Sequence, residues 1–422
     1  MGQRMSSKEI FVSIALGTEN YWVGRLWCHH RKGRESASFE YDENWLKHPE
    51  CFALEPALAL TSGAFHTLPV QSLFGAIGDS APDRWGRVLM RRAENQRAKD
   101  ASDTPRALGE VDFLLGVYDE ARQGALRFSR KREGPFLSVT PRKSIPLLIG
   151  LPKLLSATEH FLDDKESAED LKILLAPGSS LGGARPKASV RDHEGKLAIA
   201  KFPHKDDDCN IVVWEAVALA LAQKSGLHVP TWRLETILDK AVLLIQRFDR
   251  VGQTRIPFLS AMSLLGANDH EAHSYLEIVD ALKQYGGKPD VDMSELWRRI
   301  VFSILISNTD DHLRNHGFLY ERQQGWRLSP AYDMNPTPTS VKPRILTTSI
   351  DLYDGTASLD LALSVASDFR VSKKDAQSII KEVVQGVSQW RDVAGNFGLK
   401  KREIEGMASA FEHEDSKKAR KM

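Results

Sequence analysis

A polar loop between two apolar segments constrains this fold more than any other feature of the sequence. The loop carries Asp310 and Asn315 and follows residues 296–306, an apolar stretch typical of a buried helix. Residues 317–329 come next and contain two strand-like runs separated by a polar turn, which predicts a β-hairpin. The hairpin leads into Asp333. The sequence therefore predicts that a helix and a hairpin bring two acids and one amide together.

The spacing of Asp310 and Asn315 is that of the Asp-x4-Asn motif in the catalytic loop of protein kinases. In that loop the carboxylate accepts a hydrogen bond from the attacking hydroxyl group, while the amide oxygen reaches a magnesium ion on the phosphates. Magnesium needs hard oxygen ligands and keeps several water molecules, so Asn315, Asp333 and phosphate oxygens would suffice. The alternative is that Asp310 and Asp333 are loop carboxylates that cap turns.

A lysine interrupts the apolar run at residues 197–202, which has the composition of a strand. Burying Lys201 in a strand is costly unless its ammonium group is paired. Kinases use such a lysine to hold the α- and β-phosphates, and a glutamate of the next helix orients it. The helix predicted at 210–224 carries Glu215 as a lone acid in an apolar stretch. Two simpler interpretations stay open: a lysine at a strand edge and a glutamate on the solvated edge of a helix.

A glycine- and serine-rich loop, residues 178–187, precedes that strand. Small residues let backbone N–H groups approach phosphate oxygens, and Arg185 or Lys187 would add positive charge. The loop matches neither Walker A nor GxGxxG, and by itself it is little more than a turn. Its position ahead of Lys201 favours a nucleotide-binding loop. Residues 243–248 would then form the strand into a hinge whose backbone meets the adenine edge.

The first 130 residues are mixed and rich in predicted strands. Strand-like composition occurs at residues 11–16, 21–27 and 36–41. A helix is expected at residues 82–94, capped by Asp79 or Ser80.

Composition and charge exclude several classes of protein. The chain has 57 Lys and Arg residues against 56 Asp and Glu, and the net charge of +1 argues against a protein that coats nucleic acid. No apolar run approaches the roughly 18 residues needed to span a bilayer, so no membrane association is expected. Cys28, Cys51 and Cys209 are widely spaced and predict reduced thiols in a cytoplasmic protein. The charged tail, residues 413–422, is expected to be a solvated end.

Taken in order, these motifs resemble the HipA family of toxin serine/threonine kinases. The resemblance covers nearly the whole chain, residues 10–390. In the kinase part it rests on Ser180-x-x-Gly183-Ala184-x-x-Lys187, Ile199-Ala200-Lys201-Phe202-Pro203, Arg247-Phe248-Asp249-Arg250, Asn308-Thr309-Asp310-x-His312-x-x-Asn315 and Ser329-Pro330-x-Tyr332-Asp333. In the N-terminal part, similarity to the family's leading domain rests on Phe39-x-Tyr41-x-x-x-Trp45-Leu46 and Pro82-Asp83-x-Trp85-Gly86-Arg87.

The resemblance implies an α+β fold, a two-lobed protein-kinase-like fold with a β-rich N-terminal lobe, an added leading domain and a mainly helical C-terminal lobe. The expected domains are a HipA-like N-terminal domain at 1–130, a nucleotide-binding N-lobe region at 147–250, a helical C-lobe at 251–412 and the charged tail at 413–422.

The resemblance also implies a function. The protein would be an ATP- and Mg2+-dependent kinase that phosphorylates a protein, an aminoacyl-tRNA synthetase, and so arrests translation. Its partner would be a helix-turn-helix antitoxin, which binds operator DNA together with the toxin. A small-molecule kinase of the same fold and a non-catalytic, ATP-binding, DNA-associated scaffold are the alternatives.

Carried over to this sequence, the family's site residues fall on the motifs above. Asp310 would be the catalytic base, and Asn315 and Asp333 would bind magnesium. Glu215 would orient Lys201. The residues expected to contact the nucleotide are Gly182, Gly183, Ala184, Arg185, Lys187, Lys201, Gln246, Arg247, Phe248, His312, Arg314, Asn315, Tyr332 and Asp333.

Ser180 matches the serine that family members phosphorylate in themselves, and Ser179 beside it leaves the modified position open. A phosphate group in a phosphate-binding loop would repel ATP and compete for the same amides. Two residues depart from the family pattern, since Gln246 stands where an acid is more usual and Arg314 where lysine is common. His312 has two interpretations, a contact with phosphate or a role in ordering the loop.

Overall fold

This computed structural model of the protein describes residues 6–31, 33–137, 145–175 and 183–422. The chain divides into two compact units. The N-terminal unit comprises Met1–Lys205 and Thr236–Leu259, and the C-terminal unit comprises Asp206–Glu235 and Ser260–Met422. Strands dominate the first unit and helices the second, which confirms the predicted α+β class. The domain boundaries expected from the sequence stay predictions.

An antiparallel sheet of five strands begins the N-terminal unit. The strands are β1 (Ser6–Leu16), β2 (Glu19–Arg31), β3 (Arg34–Tyr41), β4 (Ala64–His66) and β5 (Leu126–Ser129), in the spatial order β4-β3-β2-β1-β5. The first three confirm the strands predicted from composition. Gly24 in β2 allows the close approach of β3, because an added Cβ would lie 2.2 Å from the carbonyl oxygen of Glu40.

The helices described in the N-terminal unit are α1 (Glu43–Leu46), α2 (Gly75–Gly78), α3 (Arg84–Asp100), α4 (Glu110–Gly116), α5 (Leu151–Leu162) and α6 (Ala168–Leu175). Helix α3 confirms the helix predicted in this part of the chain, but the predicted caps are wrong. Its N-cap is Asp83, whose carboxylate accepts a hydrogen bond from the Gly86 N–H at 2.7 Å. Asp79 instead caps the C-terminus of α2, and Ser80 follows it, so both residues belong to the end of the preceding helix.

A second sheet contains β6 (Lys187–Arg191), β7 (Leu197–Lys201), β8 (Trp232–Ile237) and β9 (Lys240–Gln246), in the order β6-β7-β9-β8. The boundary between the units falls within β8. Small apolar residues such as Ala188 and Ala200 pack with Trp85 of α3 and with α5 and α6 in one core. Lys187 and Lys201 alternate with these residues and lie directly opposite each other on β6 and β7, so both belong to the other face. The short strands β10 (Arg250–Val251), β11 (Thr254–Arg255) and β12 (Phe258–Ser260) follow.

The C-terminal unit is built around one buried helix. Its helices are α7 (Ile211–Lys224), α8 (Ala261–Leu264), α9 (Tyr275–Tyr285), α10 (Pro289–Ile306), α11 (Leu359–Ser364), α12 (Lys373–Val387), α13 (Trp390–Asn396), α14 (Lys401–Gly406), α15 (Ala408–Phe411) and α16 (Glu414–Ala419), and its hairpin strands are β13 (Gly317–Glu321) and β14 (Gly325–Leu328). Helix α10 is the apolar helix predicted from the sequence, and Trp297, Ile300 and Phe302 in it are fully buried. The Trp297 indole N–H also donates to the Ala362 carbonyl at 2.9 Å. This packing fixes the end of α10, from which the polar loop departs.

The prediction of a solvated C-terminal end is wrong. Residues 414–419 form α16, in which Ser416 and Ala419 are buried. Arg344 holds this helix through an ion pair with Asp415 at 2.8 Å and also donates to the Ile304 carbonyl at 3.0 Å. The tail is therefore attached to the end of α10, a contact between distant segments that the charge pattern did not indicate. No helix within the described residues is both long and apolar enough to span a membrane.

Glu55 is a buried carboxyl group in the N-terminal unit, and it predicts a pH dependence of stability. It is 5% exposed and accepts the Ala76 N–H at 2.5 Å. Burial raises the pKa of Glu55 to about 7, against the opposing effect of that hydrogen bond. Folding therefore favours the protonated form of Glu55. The contribution of this group to the free energy of unfolding is complete below pH 4.5 and is lost as the pH rises through about 7.

We expect the substitution Glu55→Gln, which keeps the acceptor but cannot ionise, to remove this loss. The variant should be more stable than the wild type by about 3 kcal/mol at pH 8 and by much less at pH 5. Urea unfolding of both proteins at the two pH values measures the difference. Parallel pH profiles for the variant and the wild type would contradict the assignment.

Candidate active site

The loop that follows α10 begins with a sharp turn. Ser307 at the C-cap has a left-handed φ of 51°, and the Asn308 N–H donates to the Ser303 carbonyl at 2.9 Å. Further on, the His312 N–H donates to the Asp310 carbonyl at 2.9 Å. These backbone bonds place Asp310 at the apex of the loop, where 74% of its side chain is exposed. A carboxylate held in this way can reach a hydroxyl group that approaches from solvent.

Asn315 is buried directly behind the apex, in the 3-10 turn Leu313–Asn315. Its Nδ2 donates to the Asp310 carbonyl at 3.0 Å. Because an N–H of the amide is bound to the loop, the orientation of the side chain is fixed and Oδ1 is its acceptor end. The five-residue spacing thus connects the two predicted site residues by a hydrogen bond.

The predicted hairpin is confirmed, and it delivers Asp333. Strands β13 and β14 pair with Phe318 opposite Leu328. Beyond them, Asp333 has a φ of 58°, the left-handed region that residues other than glycine, asparagine and aspartate rarely adopt. Such a conformation persists only where the surrounding contacts impose it.

Hydrogen bonds on both sides of Asp333 tie its segment to the polar loop. The Tyr332 hydroxyl donates to the Arg314 carbonyl at 2.8 Å, and the Asn335 N–H donates to the Asn308 side-chain oxygen at 3.2 Å. The first bond reaches the end of the loop and the second reaches its start. The C-terminal unit therefore brings the segment of Asp333 to the loop that carries Asp310 and Asn315, and the roles expected for the three residues stay predictions.

A buried polar cluster supports the loop from behind, and sequence reasoning did not find it. Asp311 is buried, lies 3.2 Å from His316 Nε2 and accepts a hydrogen bond from the Tyr275 hydroxyl. Its carbonyl accepts the Thr348 hydroxyl at 2.7 Å. Burial raises the pKa of Asp311, but His316 and Tyr275 outweigh it and hold that pKa below its usual value. The signal in the sequence that could have revealed this cluster was the pair of adjacent acids, Asp310 and Asp311. Their side chains point in different directions, so Asp311 is buried while Asp310 faces solvent.

The surroundings of Asp310 contain several further polar groups. Lys342 lies 3.7 Å from the Asp310 carboxylate, and both side chains are largely exposed, so this ion pair contributes little stability. Arg314, a predicted nucleotide contact, pairs with Asp269 at 3.1 Å. The buried Nδ1 of His312 has no hydrogen-bond partner among the residues that the structure describes. An unsatisfied buried nitrogen beside Asp310 suits a group that contacts a ligand, which keeps the phosphate-contact interpretation of His312 open.

The other predicted nucleotide-binding residues lie in the N-terminal unit. Lys201 is half-buried at the end of β7, opposite Lys187. Lys187 is only 4% exposed and pairs with Asp83 at 3.1 Å. Burial raises the pKa of Asp83 to about 6 although Lys187 lowers it, so the Asp83 carboxylate is largely ionised at neutral pH. Gly183 has a left-handed φ of 102° and is exposed, as is Ala184.

Several predicted site residues belong to the loop that precedes β6. Gly182 and the predicted modification site, Ser180 or its neighbour Ser179, lie outside the described residues. Arg185 is half-buried beside Ala184. The roles expected for these residues stay predictions.

In the predicted hinge, Gln246–Phe248, the central residue makes buried structural contacts. The Arg247 N–H donates to the Leu197 carbonyl at 2.9 Å, and its guanidinium is buried on Asp249, with Nε to Oδ1 at 2.8 Å. The Arg247 side chain therefore belongs to the interior of the unit. Gln246 and Phe248 are half-buried, and the adenine contact expected from their backbone stays a prediction.

Glu215 is buried in α7 and belongs to the C-terminal unit, whereas Lys201 belongs to the N-terminal unit. The pairing expected between them stays a prediction. Burial of an acid on α7 nevertheless excludes the interpretation of Glu215 as a carboxylate on a solvated edge.

The residues fit a magnesium ion that is shared with a substrate better than one held by protein alone. Within the described residues no group of three or more His, Cys, Asp or Glu side chains is arranged to hold a metal. Asn315 and Asp333 instead offer one amide oxygen and one carboxylate, which are hard ligands that leave most coordination positions to water and phosphate. The donor set therefore matches the chemistry of a metal–nucleotide complex.

Comparisons with known proteins find a matching family model and relatives that are named as kinases. A family model described as HipA-like C-terminal domain matches residues 179–391, which are 213 of the 422 residues. A Sinorhizobium fredii protein named "Putative kinase Y4mE" is 23% identical over 348 residues, which make up 75% of this chain and 76% of that protein. A Haemophilus influenzae protein named "Putative kinase" is 30% identical over 207 residues, 42% of this chain and 60% of that protein.

A solved structure shows the same fold. A chain of the Shewanella oneidensis MR-1 complex of the toxin-antitoxin proteins HipA and HipB with operator DNA is similar over 94% of both chains, with a TM-score of 0.62 and 14% identity. This likeness confirms the two-lobed, kinase-like fold that the sequence predicted. Since the family model matches more than half of its residues, the chain belongs to the family of HipA-like proteins.

Proposed function

We propose that this protein is an ATP- and Mg2+-dependent serine/threonine protein kinase and the toxin of a toxin–antitoxin system. The observation that carries the proposal is the arrangement of three side chains in the C-terminal unit. Asp310 is exposed at a fixed apex, Asn315 is hydrogen-bonded behind it, and the segment of Asp333 is tied to both ends of the same loop. The kinase names of two relatives and the kinase-like fold support the same activity.

In the proposed reaction, Asp310 accepts the proton of a serine or threonine hydroxyl group on the substrate. The hydroxyl oxygen forms a bond to the γ-phosphorus of ATP, and the bond from that phosphorus to the β–γ bridging oxygen breaks, which releases ADP. A magnesium ion, when bound, neutralises the charge on the phosphates. Asn315 and Asp333 would hold it through Oδ1 and a carboxylate oxygen. Lys201, oriented by Glu215, would bind the α- and β-phosphates from the N-terminal unit.

The remaining nucleotide contacts are proposed from the resemblance. Residues 182–187 would cover the phosphates, Gln246–Phe248 would form the hinge, and His312, Arg314 and Tyr332 would complete the site beside Asp310. The buried, unsatisfied Nδ1 of His312 supports its place in this set. Ser180 is the proposed autophosphorylation site.

The proposed partners follow from the family and from the Shewanella complex. That complex contains HipA, HipB and operator DNA. We infer that this protein binds a helix-turn-helix antitoxin and reaches operator DNA only through that complex. An aminoacyl-tRNA synthetase is the proposed protein substrate, and the cytoplasm is the proposed location.

Incubation of the purified protein with γ-labelled ATP and Mg2+ tests the activity. We expect label to appear on the protein itself and to map to Ser180. The variants Ser180→Ala and Ser179→Ala form a matched pair, because only the first should remove the label. Label on neither the protein nor an added protein substrate, despite nucleotide binding, would contradict the proposal.

A further inference from the structure

We propose that Asp83 and Lys187 are positioning residues, whose buried ion pair holds the end of the nucleotide-covering segment against helix α3. The proposal rests on the function proposed above, because it takes residues 183–187 to lie over a nucleotide. It gives Lys187 a different task from the direct phosphate contact that the sequence predicted. It also gives a task to a motif of the N-terminal region that the proposed chemistry leaves unexplained.

Helix α3 holds the segment at both ends. The Trp85 N–H donates to the Gly183 carbonyl at 3.4 Å, and the Trp85 indole N–H donates to the Lys187 carbonyl at 3.0 Å. Lys187 Nζ donates to the Asp83 carboxylate at 3.1 Å. All three contacts come from the first turn of α3, so the segment takes its position from that helix.

Burial makes this attachment specific. The side chains of Lys187 and Asp83 are 4% and 6% exposed. A buried ammonium group that loses a carboxylate partner is strongly disfavoured, so Lys187 leaves this position far less readily than a surface lysine would. Asp83 is itself immobilised, because it caps α3 by accepting the Gly86 N–H at 2.7 Å. The pair therefore fixes the strand end that follows the segment.

The register of the sheet explains why the Lys187 charge needs this partner. Lys187 and Lys201 lie directly opposite each other on β6 and β7. Like charges on directly opposed residues repel each other. Asp83 compensates the charge of Lys187 and thereby reduces the repulsion between the two opposed lysines. Lys201 is then the lysine assigned to the phosphates, and Lys187 acts only through the geometry of the segment.

This role predicts a loss of nucleotide affinity and not of the maximal rate. The variant Asp83→Asn/Lys187→Met removes both charges of the pair at once, so neither residue is left charged opposite a neutral partner, and the variant should fold. We expect it to raise the dissociation constant of a fluorescent ATP analogue, and the ATP concentration for half-maximal label transfer, by about tenfold or more. The maximal rate of transfer should change by less than about threefold, and the melting temperature should stay close to that of the wild type. Trp85→Phe, which removes the indole N–H together with part of the ring, should shift both affinity measures in the same direction.

Arg92→Met is the matched control. Arg92 lies on the same helix, and within the described residues its hydrogen bonds go to Glu166, at 3.1 Å, and to Asp164. It should leave nucleotide affinity unchanged. Nucleotide affinity equal to that of the wild type in the double variant would overturn the positioning role. The role would also be overturned if Lys187→Met lowered the maximal rate of transfer but left the ATP concentration for half-maximal transfer unchanged. If the wild-type protein binds no nucleotide, the proposed function fails first and this inference fails with it.

Discussion

Asp310→Asn is expected to lower phosphoryl transfer by about 10²–10⁴-fold while leaving the fold and nucleotide affinity intact. The amide cannot accept the proton that the substrate hydroxyl must lose, whereas its size and its position at the loop apex are unchanged. Single-turnover transfer of label from ATP measures the rate, and titration with a fluorescent nucleotide measures affinity. The free energy of unfolding should change by less than about 1 kcal/mol, because the carboxylate is mostly solvated and its ion pair with Lys342 is long.

Asp360 supplies a matched control for this substitution. Its side chain is 71% exposed, close to the 74% of Asp310, and it also pairs with a lysine, Lys418, in the same unit. Asp360→Asn removes an equivalent surface charge away from the loop and should leave the transfer rate unchanged. A transfer rate for Asp310→Asn equal to that of Asp360→Asn would remove Asp310 from the chemistry.

The local parts of the site were predictable because they depend on short segments. Helix α10 and the hairpin β13–β14 follow from an apolar run and from two strand-like runs separated by a turn. Asp310 and Asn315 are joined by a hydrogen bond within one loop, so a spacing in the sequence was enough to identify them. Asp333 was singled out because it comes just after this hairpin.

The parts that were missed depend on contacts between distant segments. Lys187 is 104 residues from Asp83, and nothing in the loop sequence indicates that its ammonium group is buried. Tyr275 reaches Asp311 from α9, 36 residues away, and Arg344 holds the C-terminal helix through Asp415. Lys187 was assigned to a ligand, the charged tail to solvent, and Asp311 was given no role, whereas the tertiary structure supplied each with a partner of opposite charge or a hydrogen-bond donor.

These missed contacts also explain why the site residues are held in place. Asp310 is exposed and has few contacts of its own, but Asp311 beside it is anchored by Tyr275 and His316. A flexible, solvated base would have to be ordered in each reaction, and the buried cluster makes that ordering part of the folded state. The neighbouring acid thus anchors the loop and would leave the Asp310 carboxylate available for the proposed proton transfer.

Asp333→Asn is expected to lower transfer by about 10²-fold or more at a fixed, low concentration of Mg2+, because the substitution removes the charged ligand from the proposed metal site. Asparagine is the suitable replacement, since it tolerates the left-handed backbone at a φ of 58° and has nearly the same size. Raising the Mg2+ concentration should restore part of the lost rate, whereas the same titration should not rescue Asp310→Asn, whose defect lies in proton transfer. Rate measurements across a Mg2+ series for both variants make this comparison.

The control for the Asp333 substitution is Asp239→Asn. Asp239 is exposed in the N-terminal unit, outside the proposed site, and has a φ of 63°, so the same chemical change is made in the same backbone conformation. It should shift neither the rate nor its dependence on Mg2+. Two results together would show that the carboxylate does not hold the ion. The activity lost in Asp333→Asn would not return at any Mg2+ concentration, and the residual rate would need the same Mg2+ concentration as the wild-type rate. Asp333 would then act through the loop contacts of Tyr332 and Asn335 on either side of it, and magnesium would have to be held by Asn315 and the phosphates alone.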